Sequence, residues 1–117
     1  MKNNRLDKIA RLESRVAVYV PGTAGVATAA DNTAHVEAAA ALLSELFGGA
    51  TAQSVRGYWV SDAAGLVAED TTVIYSYAAA DALEAGLDRV LDFCEAMRDA
   101  LEQEAISLEI NSTLYFI

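Results

Sequence analysis

The stretch from Asp81 to Glu102 constrains the fold more than any other. Leu83, Leu87, Val90, Leu91, Cys94, Met97 and Leu101 recur at steps of three and four, the period of one helical face. Asp81, Glu84, Asp88, Asp92, Glu95, Asp99 and Glu102 recur at the same steps. At about 100° per residue the two sets fall on opposite sides of one helix. Such a helix must lay its dry side on something, and the flanking segments read as a sheet. Asp81 is expected to cap the first turn, with Glu84 as its capping-box partner.

Arg15 to Val20 alternates, with Val16, Val18 and Val20 on one face and Arg15, Ala17 and Tyr19 on the other, which is the pattern of a half-buried strand. Pro21-Gly22 ends it, and Thr23 to Asn32 reads as a small-residue loop. Asn32 or Thr33 is expected to cap a helix that runs to Phe47, with Val36, Ala40, Leu43 and Phe47 on its dry side. Gly48-Gly49 stops that helix. Strands are predicted from Ala50 to Val60 and from Leu66 to Tyr77, joined as a hairpin through Ser61 to Gly65. After the long helix come a strand over 105–110 and a terminal Leu114-Tyr115-Phe116-Ile117, which either pairs back or packs on a partner. Asn3 or Asn4 is expected to cap a short first helix carrying Leu6, Ile9 and Ala10 on one side.

The order predicts an α+β chain of ferredoxin-like split βαβ type, an antiparallel sheet with two helices on one face. Two segments follow: a basic helical arm over 1–14 and a single domain over 15–117. The chain of 117 residues is long enough for one core, and 54% of it is apolar. No apolar run approaches the ~18 residues that span a bilayer, and Cys94, the only cysteine, forms no intrachain disulfide. A soluble, cytoplasmic protein is expected. The net charge of −9 is uneven: residues 1–15 carry +3 and the remainder −12. The body repels nucleic-acid phosphates at long range, so neither nucleic acid nor membrane is an expected partner.

The sheet face away from the helices is the candidate site. If Ser54, Arg56 and Tyr58 share it with Arg15, Ala17, Tyr19, Val73, Tyr75 and Tyr77, it holds several tyrosines and two arginines, with Ser107 and Glu109 alongside. Tyrosine rings stack on bases, and guanidinium groups pair with phosphate or carboxylate. Tyr19, Arg56, Tyr58 and Tyr75 are therefore the expected ligand-binding residues, with Arg5, Lys8 and Arg11 as phosphate contacts. Glu102, Gln103 and Glu104 end the long helix, where negative charge opposes the helix dipole. Gln103 or Glu104 is a candidate for a specific hydrogen bond, with Gln103 the expected binding residue. The same face also suits a homo-oligomer interface. The stripe Glu84, Asp88, Asp92, Glu95 and Asp99 offers an alternative surface for a basic host protein, against its ordinary reading as a solvated face.

No catalytic residue, metal site or cofactor is expected. His35 is the lone histidine and sits in a first helical turn, Cys94 lies on a dry face, and Glu69-Asp70 point to opposite faces of a strand. The glycines of Phe47-Gly48-Gly49-Ala50-Thr51 have no lysine after them, so they form no phosphate loop. The expectation is a protein that is not an enzyme.

Val18-Tyr19-Val20-Pro21, Leu46-Phe47-Gly48-Gly49-Ala50-Thr51, Gly57 with Trp59, Gln103-Glu104-Ala105-Ile106 and Leu114-Tyr115-Phe116-Ile117 together resemble a family of small phage and mobile-element proteins of gut bacteria. The resemblance covers most of the chain from Arg11 onwards. It implies an accessory gene acting against a host defence. Sponges that sequester a small nucleotide-like signal in pockets of symmetric oligomers, and acidic inhibitors, are the implied kinds. A sponge for phosphate-bearing signals should converge several basic groups, and beyond residue 15 the chain has only Arg56, Arg89 and Arg98.

Overall fold

The strand β1 (Ser14–Pro21) is the middle of the molecule, and its alternation sorts everything else onto one side or the other. A computed structural model describes residues 4–25 and 28–117. After β1 come β2 (Thr23–Ala24), β3 (Thr28–Ala29), α1 (Thr33–Phe47), β4 (Thr51–Ser61), β5 (Gly65–Ala78), α2 (Ala80–Ala100), β6 (Ser107–Ile110) and β7 (Thr113–Phe116). The main sheet is antiparallel in the order β4-β5-β1-β6-β7. This is the ferredoxin-like arrangement, with β5 inserted between β1 and β4 and a fifth strand added at the edge. The terminal segment pairs back as β7.

Val16, Val18 and Val20 meet Ile74, Leu108 and Ile106 in a core closed by Leu43 of α1 and by Val90, Cys94 and Met97 of α2. Each fully buried aliphatic side chain contributes roughly 1.5–3 kcal/mol, so this side of the sheet holds the fold. Gly48 takes the left-handed conformation, φ 93°, and stops α1 where its sequence implies. Burial also makes Cys94 a closed-face group in its chemistry: desolvation first, then the charge of Glu95, pushes its thiol up to about 12.

Several local expectations change. The long helix begins at Ala80 with Ala79 as its N-cap, so Asp81 falls inside the first turn and accepts a hydrogen bond from the Ala82 N–H, 2.9 Å. Its carboxylate serves the helix dipole rather than a capping box. At α1 the residue before the N-cap does the bonding: Asp31 Oδ1 accepts from the Thr33 N–H, while the Asn32 side chain donates to the Pro21 carbonyl. The first helix reduces to one 3-10 turn, Leu6–Lys8, with Arg5 as its N-cap, and Leu6 and Ile9 are exposed. Asn3, one of its expected caps, lies outside the described residues. The loop expected over 23–32 contains the two-stranded ribbon β2-β3, and its residues 26 and 27 lie outside the described residues.

β1 runs out at Pro21, which pairs with Thr71. The hairpin β4-β5 continues past that point to the Ser61–Gly65 pair, so its end projects from the sheet. The molecule is accordingly long, 54 × 29 × 20 Å. That projection builds the site.

Candidate functional site

The hairpin register decides which side chains share the open face. Ser61 pairs with Gly65 across a three-residue connection, and Ser61 Oγ accepts from the Ala63 and Ala64 N–H groups, 3.3 Å each. From that closure, Trp59 stands opposite Val67, Gly57 opposite Glu69, Val55 opposite Thr71 and Thr51 opposite Tyr75. β1 in turn sets Tyr19 against Val73 and Ala17 against Tyr75. Side chains alternate strictly along a strand, so the open face of β4 carries Val55, Gly57 and Trp59. Ser54, Arg56 and Tyr58 point to the opposite face, and the expectation that they share the face of Tyr19 and Tyr75 is corrected by one residue of register. Arg56 there faces its cross-strand partner Asp70, with Nη1 3.8 Å from Oδ1.

A cavity of about 500 Å³ opens between the projecting hairpin, the end of β1 and the C-terminal strands. This lies within the ~300–1,000 Å³ typical of small-molecule sites. Tyr19, Pro21, Gly57, Trp59, Glu69, Gln103, Ser107 and Phe116 border it. Gly57 is the reason for the space. A Cβ there would stand at ordinary contact distance, 3.7 Å from Thr71 Oγ1 and 3.9 Å from Glu69 Cγ, so a larger side chain would grow into the cavity rather than into the sheet. Trp59 and Phe116 supply aromatic surface on two sides, and Phe116 is 72% exposed.

Three polar side chains at the cavity, Glu69, Gln103 and Tyr19, are held by hydrogen bonds within the chain. Thr23 Oγ1–H donates to Glu69 Oε2 at 2.9 Å. Gln103 Nε2 donates to the carbonyls of Gly25 at 2.8 Å, Thr23 at 3.1 Å and Leu101 at 3.2 Å. Its expected specific hydrogen bond is thus made within the chain. The tight turn that delivers it is set by Glu102, which adopts φ 52° just past α2. Tyr19 O–H donates to Glu109 Oε1 at 3.4 Å, and its phenol is raised by desolvation first and then by the Glu109 charge, with Arg15 opposing.

The cavity therefore brings together Tyr19 and Gln103, with Arg56 and Tyr58 of β4 also at its border. Tyr75 lies on the open face but towards the other end of the sheet, where Arg15 Cζ sits 4.2 Å from its ring centroid and Tyr77 meets it edge-on. Arg5, Lys8 and Arg11 lie on the exposed arm and do not border the cavity; Arg11 Nε pairs with Glu13 at 2.8 Å. Glu84, Asp88, Asp92, Glu95 and Asp99 are all exposed on the outer side of α2 and do not border the cavity. Among the described residues, no helix is long and apolar enough to cross a membrane.

Glu69, Trp59, Gly57 and Phe116 escaped the sequence reading as site residues. Counting parity outward from the Ser61–Gly65 closure would have placed the first three on the open face together.

Two solved structures share this fold. Phage SAM lyase in complex with S-methyl-5'-thioadenosine superposes with a TM-score of 0.66 at 18% identity, covering 93% of this chain and 94% of that one. Phage SAM lyase in the apo state gives 0.65 at 17% identity over the same shares. Both are phage proteins, in keeping with the setting that the sequence resemblance implies. No protein-family model matches the chain, and no curated protein matches it in sequence. The likeness overturns the expectation of a protein that is not an enzyme, because the fold it adopts is one that a lyase uses. Missing motifs argue against catalysis only where the chemistry needs them.

Proposed function

We propose that the chain binds SAM in the cavity beside Glu69 and cleaves it to S-methyl-5'-thioadenosine. The observation that carries this reading is a single oriented carboxylate between aromatic walls, in a body of strongly negative charge. A phosphate-bearing signal would need converging cations. The only guanidinium at the border, that of Arg56, belongs by register to the opposite face. A sulfonium ligand inverts the requirement: its fixed positive charge is attracted by Glu69, while the adenine ring takes the faces of Trp59 and Phe116. The nucleotide-like ligand expected from the sequence is thereby narrowed to a nucleoside without phosphate.

The reaction explains why no catalytic signature stands out in the sequence. When the bond between the sulfonium sulfur and the aminobutyryl carbon breaks, the electron pair stays on sulfur, which departs as a neutral thioether. The remaining chain satisfies its valence from within itself, by closing onto its own carboxylate or by losing a proton. A lyase of this kind adds no water. Its protein must hold the substrate folded, exclude solvent and compensate a changing charge, which side chains of ordinary type accomplish. Destroying a small host nucleoside also serves the anti-defence role that the resemblance implies.

A homo-oligomer belongs to the same proposal. Trp59 and Phe116 leave apolar surface at the rim and Leu114 is exposed on β7 beside Phe116, so a second copy laid on this face would close the cavity from water. The carboxylates of α2 show nothing beyond a solvated face, so capture of a basic host protein is not proposed. Incubating the protein with SAM and resolving the products by chromatography tests the reading. S-methyl-5'-thioadenosine should accumulate catalytically, and Glu69→Gln should slow it by ~100-fold. SAM left intact by a stoichiometric amount of folded protein would overturn it.

A further inference from the structure

We propose that Thr23 is a positioning residue for Glu69, and that Gln103 sets Thr23 in place from the end of α2. The inference rests on the reading of the cavity as a SAM site. Glu69 stands on the projecting part of β5, beyond the last β1 pair, where it faces Gly57 across the hairpin and so has no cross-strand side chain to lean on. A glutamate in that place has three side-chain torsions to fix, and the Thr23 hydroxyl at 2.9 Å is the group that fixes its head. Thr23 is in turn held at its own backbone: its carbonyl accepts from Gln103 Nε2, and Gly25 N–H, two residues on, donates to the Leu101 carbonyl at 2.8 Å. Three elements distant in the chain are thus joined in one line, from the C-terminal end of α2 through the segment after β1 to the carboxylate in the cavity.

The donor set suits this task. A hydroxyl donating to a carboxylate fixes which oxygen is turned away, leaving Oε1 for the ligand. A primary amide that spends its N–H groups on carbonyl oxygens acts as a clasp on backbone, not as a ligand contact. This reassigns Gln103, a binding residue by its sequence position, to a role one step removed from the substrate.

The variants Thr23→Val, Thr23→Ser and Gln103→Ala test the line. Thr23→Val keeps the shape and removes the donor; kcat for SAM cleavage should fall about tenfold or more with KM within about twofold, because a misdirected carboxylate is felt most in the transition state. Thr23→Ser should restore kcat to within about twofold of the parent, a rescue that mere packing would not produce. Gln103→Ala should lower kcat in the same way, and combining it with Thr23→Val should add little, since both act through one contact. Unchanged kcat in Thr23→Val, or no rescue by serine, overturns the proposal. The contact is also read without substrate: melting temperatures of Thr23→Val, Glu69→Ala and the double variant should be non-additive, and additivity overturns the proposal. If the parent chain leaves SAM intact while that coupling is present, the reading of the cavity fails and the positioning of Glu69 stands.

Discussion

The two faces of one sheet, made by alternate residues of the same strands, serve different ends. On the covered face Val16, Val18, Val20, Ile74 and Leu108 are sealed under α1 and α2. On the open face Tyr19 is half-buried, while Trp59 and Phe116 remain exposed around a cavity. The covered face follows from local pattern and packing. The open face takes its form from where strands end: β1 stops at Pro21, the hairpin runs on, and the gap between them is the cavity. The contrast teaches that stability and the proposed ligand binding are separable here by parity along a strand.

The comparison is broken most sharply by a core truncation. Leu43→Ala should cost about 2–5 kcal/mol in denaturant unfolding, yet leave affinity for S-methyl-5'-thioadenosine unchanged while the protein is folded. Loss of affinity in the folded variant would show that the faces are coupled. Gly57→Leu is the converse. It should lower affinity about 100-fold, some 2.7 kcal/mol by calorimetry, with little change in melting temperature, because the added side chain occupies the cavity.

Trp59→Ala should weaken the same ligand by about 1–3 kcal/mol, the usual worth of a base stacked on an aromatic ring. An unchanged affinity would remove Trp59 from the wall. The pH response sharpens the contrast further. The folded Cys94 thiol, raised to about 12, remains neutral where an unfolded thiol ionises near ~8.5. Its contribution to stability is complete below pH ~8.5 and is lost as pH rises towards 12. Tyr19 shifts in the same direction and adds to that loss at higher pH. Cys94→Val should flatten the alkaline fall in unfolding free energy. The smallest effect is expected at Glu102, where glycine would relieve a left-handed backbone and add about 1 kcal/mol.

Much of the covered face was legible in the sequence, since periods of two and of 3.6 report which side of an element is dry. The α1 limits, the valine face of β1 and the stripe of α2 all follow from neighbours within a few residues. The open face was legible only in part. Tyr19 and Gln103 come from positions that local pattern distinguishes. Glu69 and Trp59 depend on a hairpin closure where one residue of slip exchanges the faces, which is how Arg56 and Tyr58 came to be expected there. Phe116 reaches the cavity from the far end of the chain, beyond the range of any local pattern. The proposed activity leaves no sequence signature for a chemical reason: a substrate that already bears its leaving group asks for shape and charge, and no fixed motif supplies these.

Backbone amide shifts recorded by NMR during titration with S-methyl-5'-thioadenosine test the central assignment most directly. The resonances of Tyr19, Gly57, Trp59, Glu69, Gln103 and Phe116 should move together and saturate with one binding constant, while those of Asp88 and Asp92 on α2 stay still. Shifts confined to α2, or no saturable shift at all, would contradict the account.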